Sequence, residues 1–428
     1  MSLGLRRFAA ATAGALAVAL TLGSTTPALA QTGSIDPSTL GLEDLEAIME
    51  AAGSVPLGST TGLIGSVGSA DFPLDGEGSY NPLPNKPRPV QENITESEFL
   101  KVERTSGEYE YWLVTSAAMK REVILEVVPS RVKDQGPAPV LYMLDGVDAP
   151  EYNSGWNHQA KIHDRVRDDN VHVVMPTGAY ASYYADWNEA DPVTGYNKWE
   201  TFLTQELPGI VEQGLAAKGL ETNGKSAIGG ISMGGQAAMH LAATYPEIYQ
   251  GVMSFSGYYS TMDQLGYQTI RGTIETRGGD VENLWGPHGS ADWKRHDTIS
   301  HAEDLKNTAV YFSAGNNVAG EQDFANYMKN GQLDFMSMIL GQLLEMGVLE
   351  GSKQFENALD RAGVDHRVDY AETGFHNWPN FLKNFANGWD YIKPALYGGV
   401  AEPGTGTPGD SGSVGSAGSS GSLSSSGS

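Results

Sequence analysis

Cysteine is absent from the 428 residues of this chain. No disulfide can therefore stabilise the fold, and no thiolate can act as a nucleophile or bind a metal ion. The folded state has to be held by packing and hydrogen bonding alone. Because 40 % of the residues are hydrophobic, a chain of this length can bury one large core or two small ones.

Positive charge is also scarce. The chain has 27 Lys and Arg residues against 52 Asp and Glu residues, and its formal net charge is −25. Nucleic acids and anionic membrane surfaces repel such a chain, so neither is expected as a partner. The acidity is better explained as a feature that keeps an exported protein soluble.

The apolar run near the start of the chain, residues 8–22, is interrupted by Gly and Thr and is short for a membrane span. Arg6 and Arg7 precede it, and small residues follow at 28–30. This arrangement predicts a secretory signal peptide over residues 1–30. The protein is then expected to be secreted, in the extracellular space or the cell envelope. An uncleaved membrane anchor is the alternative.

The remaining chain is rich in small residues at both ends. Residues 31–98 are rich in Gly, Ser and Pro and contain one helix-like segment, LEDLEAIMEAAG, which predicts a partly ordered extension. Residues 399–428 consist almost wholly of small and polar residues and predict a disordered tail, because they cannot bury enough surface to fold. The folded domain is therefore expected over residues 99–398.

Within that domain, short β-rich runs alternate with longer helical patterns. The runs are EYEYWLV, REVILEVV, APVLYMLD, VHVVMP, KSAIGGI, GVMSFSG, TAVYFSAG and HRVDYAE. Such alternation is typical of a mostly parallel sheet covered by helices on both faces. The first two runs are joined by a short turn, which predicts an antiparallel hairpin at the sheet edge. The sequence thus predicts an α/β fold with about eight strands.

A G-x-S-x-G motif is formed by Gly230, Ser232 and Gly234, between a buried β-run and a helix rich in small residues. Strand, sharp turn and helix in this order are the context of the nucleophile elbow of the α/β-hydrolase fold. The turn strains the serine backbone, and the residues two positions away crowd each other, so neither tolerates a Cβ. The helix N-terminus also favours an oxyanion. Ser232 is therefore the predicted nucleophile.

In this fold the nucleophile and its two partners occur along the chain in the order Ser, acid, His. His376, in GFHNW, lies directly after the last β-run and before the last amphipathic helix, where the base is expected. His366 begins that run and so lies at the opposite end of the sheet. The other histidines after the motif are expected to be packing or solvated surface residues: His240, His288, His296 and His301.

The acid is harder to assign from the residues. The loop after the seventh β-run offers Glu321 and Asp323, in the position that the fold favours. Glu345 and Glu356 lie on two apparent helices before the last run. The residues alone leave this choice open.

Several segments between about Val114 and Tyr397 form a further pattern. They are VTSAAMKREV, PVLYMLDGVDA with YNSGWN, VVMPTGAYASYYADW, YNKWETFLTQELPG, GGISMGGQAA, LWGPHGSADWKRHD and GFHNW. In this order they resemble the actinobacterial mycolyltransferases, secreted acyltransferases that move mycolic acids between trehalose esters in the cell envelope. The run KWETFLTQELPG beside an ADW loop is more specific than the serine motif, which many hydrolases share.

The resemblance carries the family's nucleophile over to Ser232 and its histidine to His376. The family's acid is a glutamate that follows a Leu on a helix, and it corresponds to Glu345, with Glu356 next in line. Between Asn317 and about Leu333 the chain is longer than the family pattern, which predicts an insert over residues 317–333.

Further site residues are implied by the same resemblance. The oxyanion amides correspond to those of Met233 and Val147. Asp145 matches an aspartate that holds the sugar, and Trp378 matches a tryptophan beside the histidine. The family often has an arginine where this chain has Asp148, so its acceptor preference is expected to differ.

The activity that the resemblance implies is transfer of a mycolyl group from trehalose monomycolate. The acceptor is a second trehalose monomycolate or cell-wall arabinogalactan, and the intermediate is an acyl-serine. Peripheral contact with the mycolate envelope is expected, and no cofactor or metal is. The alternatives are a secreted carboxylesterase of the same fold and a non-catalytic surface-binding protein.

Overall fold

A computed structural model describes residues 88–132, 135–275, 277–329 and 332–398. The predicted signal peptide over 1–30, most of the predicted extension over 31–98 and the predicted tail over 399–428 lie outside these residues. The bounds of the predicted domain stay a prediction.

Strands of the described residues form one large sheet and one small hairpin. They are β1 (Phe99–Ser106), β2 (Tyr109–Ser116), β3 (Arg121–Val128), β4 (Ala138–Leu144), β5 (His172–Pro176), β6 (Thr222–Ile231), β7 (Tyr249–Phe255), β8 (Ala309–Ala314), β9 (Met328–Lys329), β10 (Gln332–Leu333) and β11 (His366–Tyr370). The large sheet has the order β1-β2-β3-β5-β4-β6-β7-β8-β11, and β9 pairs with β10. From β5 to β11 all neighbours are parallel, whereas β1, β2, β3 and β5 pair antiparallel.

The predicted mostly parallel sheet is confirmed, but it has nine strands and not eight. The eight predicted runs correspond to β2–β8 and β11, and the additional strand is β1. Most side chains of β1 are exposed, among them Lys101, Glu103 and Arg104, so its sequence lacks the alternation that marks a half-buried strand. The predicted hairpin of β2 and β3 is present, one position in from the edge that β1 occupies.

Helices connect the strands. They are α1 (Gly155–His158), α2 (Ile162–Arg165), α3 (Trp199–Thr201), α4 (Leu207–Ala216), α5 (Ser232–Thr244), α6 (Gln264–Glu275), α7 (Val281–Trp285), α8 (Ala291–Arg295), α9 (Glu321–Asn326), α10 (Phe335–Ala362), α11 (Trp378–Lys383) and α12 (Phe385–Leu396). A π-helical turn (Phe202–Glu206) joins α3 to α4, and a 3₁₀ segment (Thr298–Leu305) precedes β8. No helix within the described ranges is both long and apolar enough to cross a bilayer.

Each face of the sheet carries its own apolar core. Along β4, Tyr142 and Leu144 point into one core, whereas Leu141 and Met143 point into the other. This period of two follows from strand geometry, and the absence of polar residues along β4 follows from burial on both faces. Helices α4, α5 and α10 contribute to the first core, and α1, α11 and α12 contribute to the second.

Glu345 and Glu356 lie on one continuous helix, α10, and not on two helices as the sequence suggested. Asp334 begins this helix by accepting a hydrogen bond from the Ser337 amide, and Gly363, with φ of 66°, ends it. Gly351 and Ser352 lie between the two glutamates, and such residues favour a break. The helix continues because Gly351 packs against the Tyr258 ring, where a Cβ would lie 2.5 Å from Cε2.

The packing of α4 on the sheet gives a testable prediction. A Cβ at Gly214 would lie 2.2 Å from the buried ring of Trp112, so Gly214→Ala should lower the free energy of unfolding by about 1–3 kcal/mol or more. Gly209, on the same helix, is exposed, and a Cβ placed there would have no atom within 4 Å, so Gly209→Ala is the matched control. It should be neutral or stabilise by up to about 1 kcal/mol. Urea unfolding of both variants checks this, and equal stability would contradict it.

Candidate active site

Ser232 lies at the junction of β6 and α5, near the middle of the sheet. Its φ is 51°, a left-handed value that is costly for a residue with a Cβ, by about 1–3 kcal/mol. The turn is tight because a Cβ at Gly230 would lie 2.3 Å from the Gly234 carbonyl oxygen. Residues 230 and 234 therefore approach each other as closely as the sequence predicted, and this requires glycine. The turn leaves Ser232 half-exposed above a buried sheet.

The first amides of α5 face the turn that follows β4. Helical amides at the start of a helix have no acceptor within the helix, and that of Met233 is among them. Gly234 brings the two segments together, since a Cβ there would lie 2.4 Å from the Asp145 carbonyl oxygen. Val147 follows in the same turn and is buried. The predicted oxyanion pair, Met233 and Val147, thus lies on two segments in contact beside Ser232.

His376 links the nucleophile candidate to one of the four acid candidates. Its Nε2 lies 2.8 Å from Ser232 Oγ, and its Nδ1 lies 2.8 Å from Glu345 Oε2. The acceptor at Nδ1 is a carboxylate, so that nitrogen carries the proton and Nε2 is left to accept from the serine. These two hydrogen bonds join His376 to residues that lie 144 and 31 positions earlier in the chain.

Glu345 is completely buried, and its second oxygen is held by three donors. Oε1 accepts hydrogen bonds from Ser256 Oγ at 2.7 Å, from the Gly315 amide at 2.5 Å and from Asn380 Nδ2 at 3.0 Å. A buried carboxylate is costly unless it is hydrogen-bonded, and here the donors come from the ends of β7 and β8 and from α11. They fix the orientation of Oε2 towards His376.

Ser256 and Asn380 were not found in the sequence as site residues. Ser256 follows β7, next to the strand that ends at Ser232, and its φ is 52°. A polar residue in FSG directly after a buried parallel strand is a signal for such a role. Asn380 gives no comparable signal, because its place beside Glu345 depends on how α11 packs.

The other acid candidates lie elsewhere. Asp323 is buried on α9, where Oδ1 accepts from the Phe375 amide at 2.9 Å and from Asn377 Nδ2 at 2.7 Å. It therefore holds the residues on both sides of His376 without contacting its ring. Glu321 is exposed on the same helix, and Glu356 accepts from the Tyr370 hydroxyl.

The predicted sugar-binding residues are both buried. Asp145 Oδ1 accepts from the Gly155 amide at 2.9 Å, and the Asp145 amide donates to the Tyr184 hydroxyl at 2.9 Å. Burial raises the pKa of Tyr184 well above that of free tyrosine, and the Asp145 carboxylate adds to this, so the phenol stays neutral. Trp378 packs edge-on against Trp156 in the second core. The contacts of Asp145 and Trp378 with a sugar stay predictions.

Asp148 lies one residue beyond the oxyanion candidate Val147. Its Oδ1 is 3.5 Å from a guanidinium nitrogen of Arg277, whose side chain is almost completely buried. The sequence suggested that an anion replaces a cation at this place. The structure shows instead that the anion is paired with an arginine from the segment after α6.

Fold and site together define a class: an α/β-hydrolase with a serine, histidine and glutamate in hydrogen-bonded series. Such a series can activate the hydroxyl as a nucleophile towards an ester or a related acyl group. Residues 116–391, well over half of the chain, match the family described as putative esterase.

The chain therefore belongs to the putative esterase family, in which the mycolyltransferases are its relatives. Ag85B of Mycobacterium avium, a diacylglycerol acyltransferase/mycolyltransferase, is 29 % identical over 307 residues, which are 69 % of this chain and 85 % of that protein. Ag85B of Mycobacterium intracellulare is 30 % identical over 279 residues, 63 % of this chain and 78 % of that protein. The family resemblance seen in the sequence is thus confirmed.

Two solved structures agree with this fold. MPT51 of Mycobacterium tuberculosis has a TM-score of 0.55 and 26 % identity, covering 67 % of this chain and 98 % of its own. S-formylglutathione hydrolase of Agrobacterium tumefaciens has a TM-score of 0.50 and 16 % identity, covering 70 % of this chain and 99 % of its own. At that identity the hydrolase supports the fold alone.

The different placement of Asp323 and Glu345 can be tested by the rate at which an alkyl fluorophosphonate labels Ser232. Glu345→Gln should lower this rate about 10⁴-fold, because the imidazole loses its orienting anion. Asp323→Ala should lower it only about 10- to 100-fold, because the loop that bears His376 is displaced but the acid remains.

Glu321→Ala is the matched control, since Glu321 is an exposed carboxylate on the same helix. Its labelling rate should equal that of the unmodified protein. Equal losses in the Asp323 and Glu345 variants would contradict the assignment of the acid to Glu345. An unchanged rate in Asp323→Ala would contradict the anchoring role.

Proposed function

We propose that this protein is a secreted serine acyltransferase that moves a mycolyl group from trehalose monomycolate. The acceptor is a second trehalose monomycolate or cell-wall arabinogalactan, and the catalytic residues are Ser232, His376 and Glu345. The observation that carries the proposal is the imidazole of His376 held at 2.8 Å from both partners. The names of the mycolyltransferase relatives supply the substrate class.

In the first half-reaction, His376 Nε2 takes the proton of Ser232 as Oγ attacks the ester carbonyl. The oxyanion that forms is stabilised by the amides of Met233 and Val147. The carbon–oxygen bond to trehalose then breaks, and the leaving sugar oxygen receives the proton from His376. A mycolyl ester on Ser232 remains.

In the second half-reaction, a sugar hydroxyl enters where trehalose has left. His376 takes its proton, the hydroxyl oxygen forms the new ester, and Ser232 Oγ leaves with the proton. Glu345 stabilises the imidazolium in both halves, and its three hydrogen-bond donors keep it from turning away. Secretion to the cell envelope would bring the enzyme to its lipid substrates.

A carboxylesterase of the same fold is the second candidate, and one observation favours it. Ser232 is half-exposed, so water has access to the nucleophile. Water and a sugar hydroxyl are activated by the same base, and the outcome depends on which of them occupies the acceptor position.

The acyl-serine mechanism can be tested with trehalose monomycolate. The unmodified protein should form trehalose dimycolate and carry a mycolyl adduct on Ser232 after a rapid quench, whereas Ser232→Ala should lose both. Product analysis by thin-layer chromatography and mass spectrometry of the protein are the measurements. Ser226→Ala, which changes a serine in the middle of β6, is the matched control and should keep both.

Each contrary outcome identifies one rival. Release of free mycolic acid without acylated sugar would support the carboxylesterase and overturn the transferase. No adduct in the unmodified protein would support the non-catalytic surface-binding protein.

The Asp148–Arg277 pair gives a second prediction for the acylation step. Arg277→Gln leaves the Asp148 carboxylate without its arginine next to an oxyanion amide, and this opposes the negative charge that develops there. The acylation rate should fall about tenfold. Adding Asp148→Asn to that variant should restore most of the rate. Stopped-flow acylation by a chromogenic ester measures both.

Arg271→Gln provides the control for loss of an arginine, because Arg271 lies on the neighbouring helix and pairs with Glu275. Its acylation rate should be unchanged. Failure of Asp148→Asn to restore the rate would show that Arg277 acts by some other route than this pair.

A further inference from the structure

A second cluster of titratable groups lies near the C-terminal part of α5, away from the nucleophile at its start. It consists of Glu200 on α3, His240 on α5 and His296 at the end of α8. All three are buried, with exposed fractions of 3 %, 7 % and 6 %. The sequence suggested that His296 is a surface residue, and this expectation was wrong because the Trp285 ring stacks on it at 4.0 Å. The proposed reaction uses none of them.

The ligand-type atoms of this cluster converge on one point. Glu200 Oε2 lies 3.2 Å from His296 Nε2 and 4.0 Å from His240 Nε2, and the three atoms lie within 4.8 Å of one another. Two ligand atoms on one tetrahedral zinc ion are about 3.4 Å apart, since each bond is about 2.0–2.1 Å long. The separation between Glu200 and His296 is close to that value, and the wider separations to His240 would shorten when the side chains close on an ion.

The Nε2 atoms of both histidines lie at this point, and His296 offers a lone pair there. His296 Nδ1 lies 2.7 Å from the Asp292 carbonyl oxygen, so Nδ1 carries the proton and Nε2 does not. A backbone carbonyl in this position is the usual partner of a metal-binding histidine. His240 Nε2 is buried, and none of the described residues gives it a hydrogen-bond partner. A buried polar atom without a hydrogen-bond partner is unfavourable, and a bond to a metal ion would remove this penalty.

We propose that Glu200, His240 and His296 bind a divalent transition-metal ion of the zinc type. Two imidazoles and one carboxylate suit zinc and leave a fourth position open. A small cleft lined by Tyr183, Gln236 and Trp285 lies beside the two histidines, and its volume of about 10 Å³ is on the scale of one water molecule, which can complete the coordination.

Arg295 is the group that competes with the ion. Its guanidinium bonds both oxygens of Glu200 and lies 3.0 Å from His296 Nε2. The side chain is 43 % exposed, so it can turn into solvent when the ion binds. The metal ion and the Arg295 guanidinium therefore exclude each other, and each can bind the cluster only when the other has left. Removing the arginine should strengthen metal binding, because a positive charge leaves the ligands.

The site is separate from the reaction centre, although both lie on α5. His240 follows Ser232 by eight residues, which corresponds to about 12 Å along a helix. A variant at His240 is therefore expected to keep the fluorophosphonate labelling of Ser232. The proposal does not rest on the acyltransferase activity, and its test does not use it.

The test is a titration of the full chain, free of any affinity tag and treated with a chelator, with Co²⁺ as the spectroscopic probe. One Co²⁺ per chain should bind with visible bands of tetrahedral coordination, and Zn²⁺ should displace it. His240→Leu should lose these bands while Ser232 is still labelled, which shows that the chain is folded. His301→Leu, which removes an exposed histidine, is the matched control and should bind Co²⁺ unchanged.

Whereas His240→Leu should abolish metal binding, Arg295→Met should strengthen it. Its affinity for Co²⁺ should rise by at least about tenfold, because the competing cation is gone. Absence of tetrahedral Co²⁺ bands in the unmodified chain would overturn the proposal. Bands that persist in His240→Leu, or an affinity that falls in Arg295→Met, would also overturn it.

Discussion

The hydrogen bond between Glu345 and His376 is the interaction on which the rest of the site depends. A fully buried carboxylate is unfavourable by itself, and this one is tolerated because Ser256, Gly315 and Asn380 donate to its other oxygen. Those donors lie at the ends of β7 and β8 and on α11, so several elements have to be in place before the carboxylate can be buried. The orientation of the imidazole therefore depends on how these elements pack together.

The backbone strain at Ser232 also depends on contacts between separate segments. Ser232 has a φ of 51° in the turn where Gly234 packs against the segment after β4. Met233 and Val147 lie on these two segments. A relaxed turn would release the strain but separate the two amides from the hydroxyl. If Met233 and Val147 are the oxyanion donors that the sequence predicts, this strain is the cost of placing them and the nucleophile on different segments.

How much the sequence could predict follows from how local each feature is. Ser232 and His376 were predictable because each depends on its own neighbours: a strand-turn-helix motif for one and a loop after the last strand for the other. Glu345 had no local signal in the middle of α10, and only the family resemblance selected it. The donors to Glu345, the burial of His296 and the exposed edge strand β1 all depend on contacts far away in the chain, which no periodicity encodes.

The proposed series of Ser232, His376 and Glu345 does not distinguish a transferase from a hydrolase, because such a series can activate any hydroxyl that reaches Nε2. The difference has to come from residues that decide what reaches it. Two features of the chain lie close to that point and are not part of the series: the Asp148–Arg277 pair beside the oxyanion turn, and α9 with Asp323, which anchors the loop around His376. In the proposed reaction, the first would change the charge that an incoming sugar meets, and the second would hold the loop that positions the imidazole. Both features are expected to act in acylation, and a second hydroxyl would then meet the same charge and the same imidazole. Differences in acceptor choice among related enzymes with the same three residues are therefore expected to arise there.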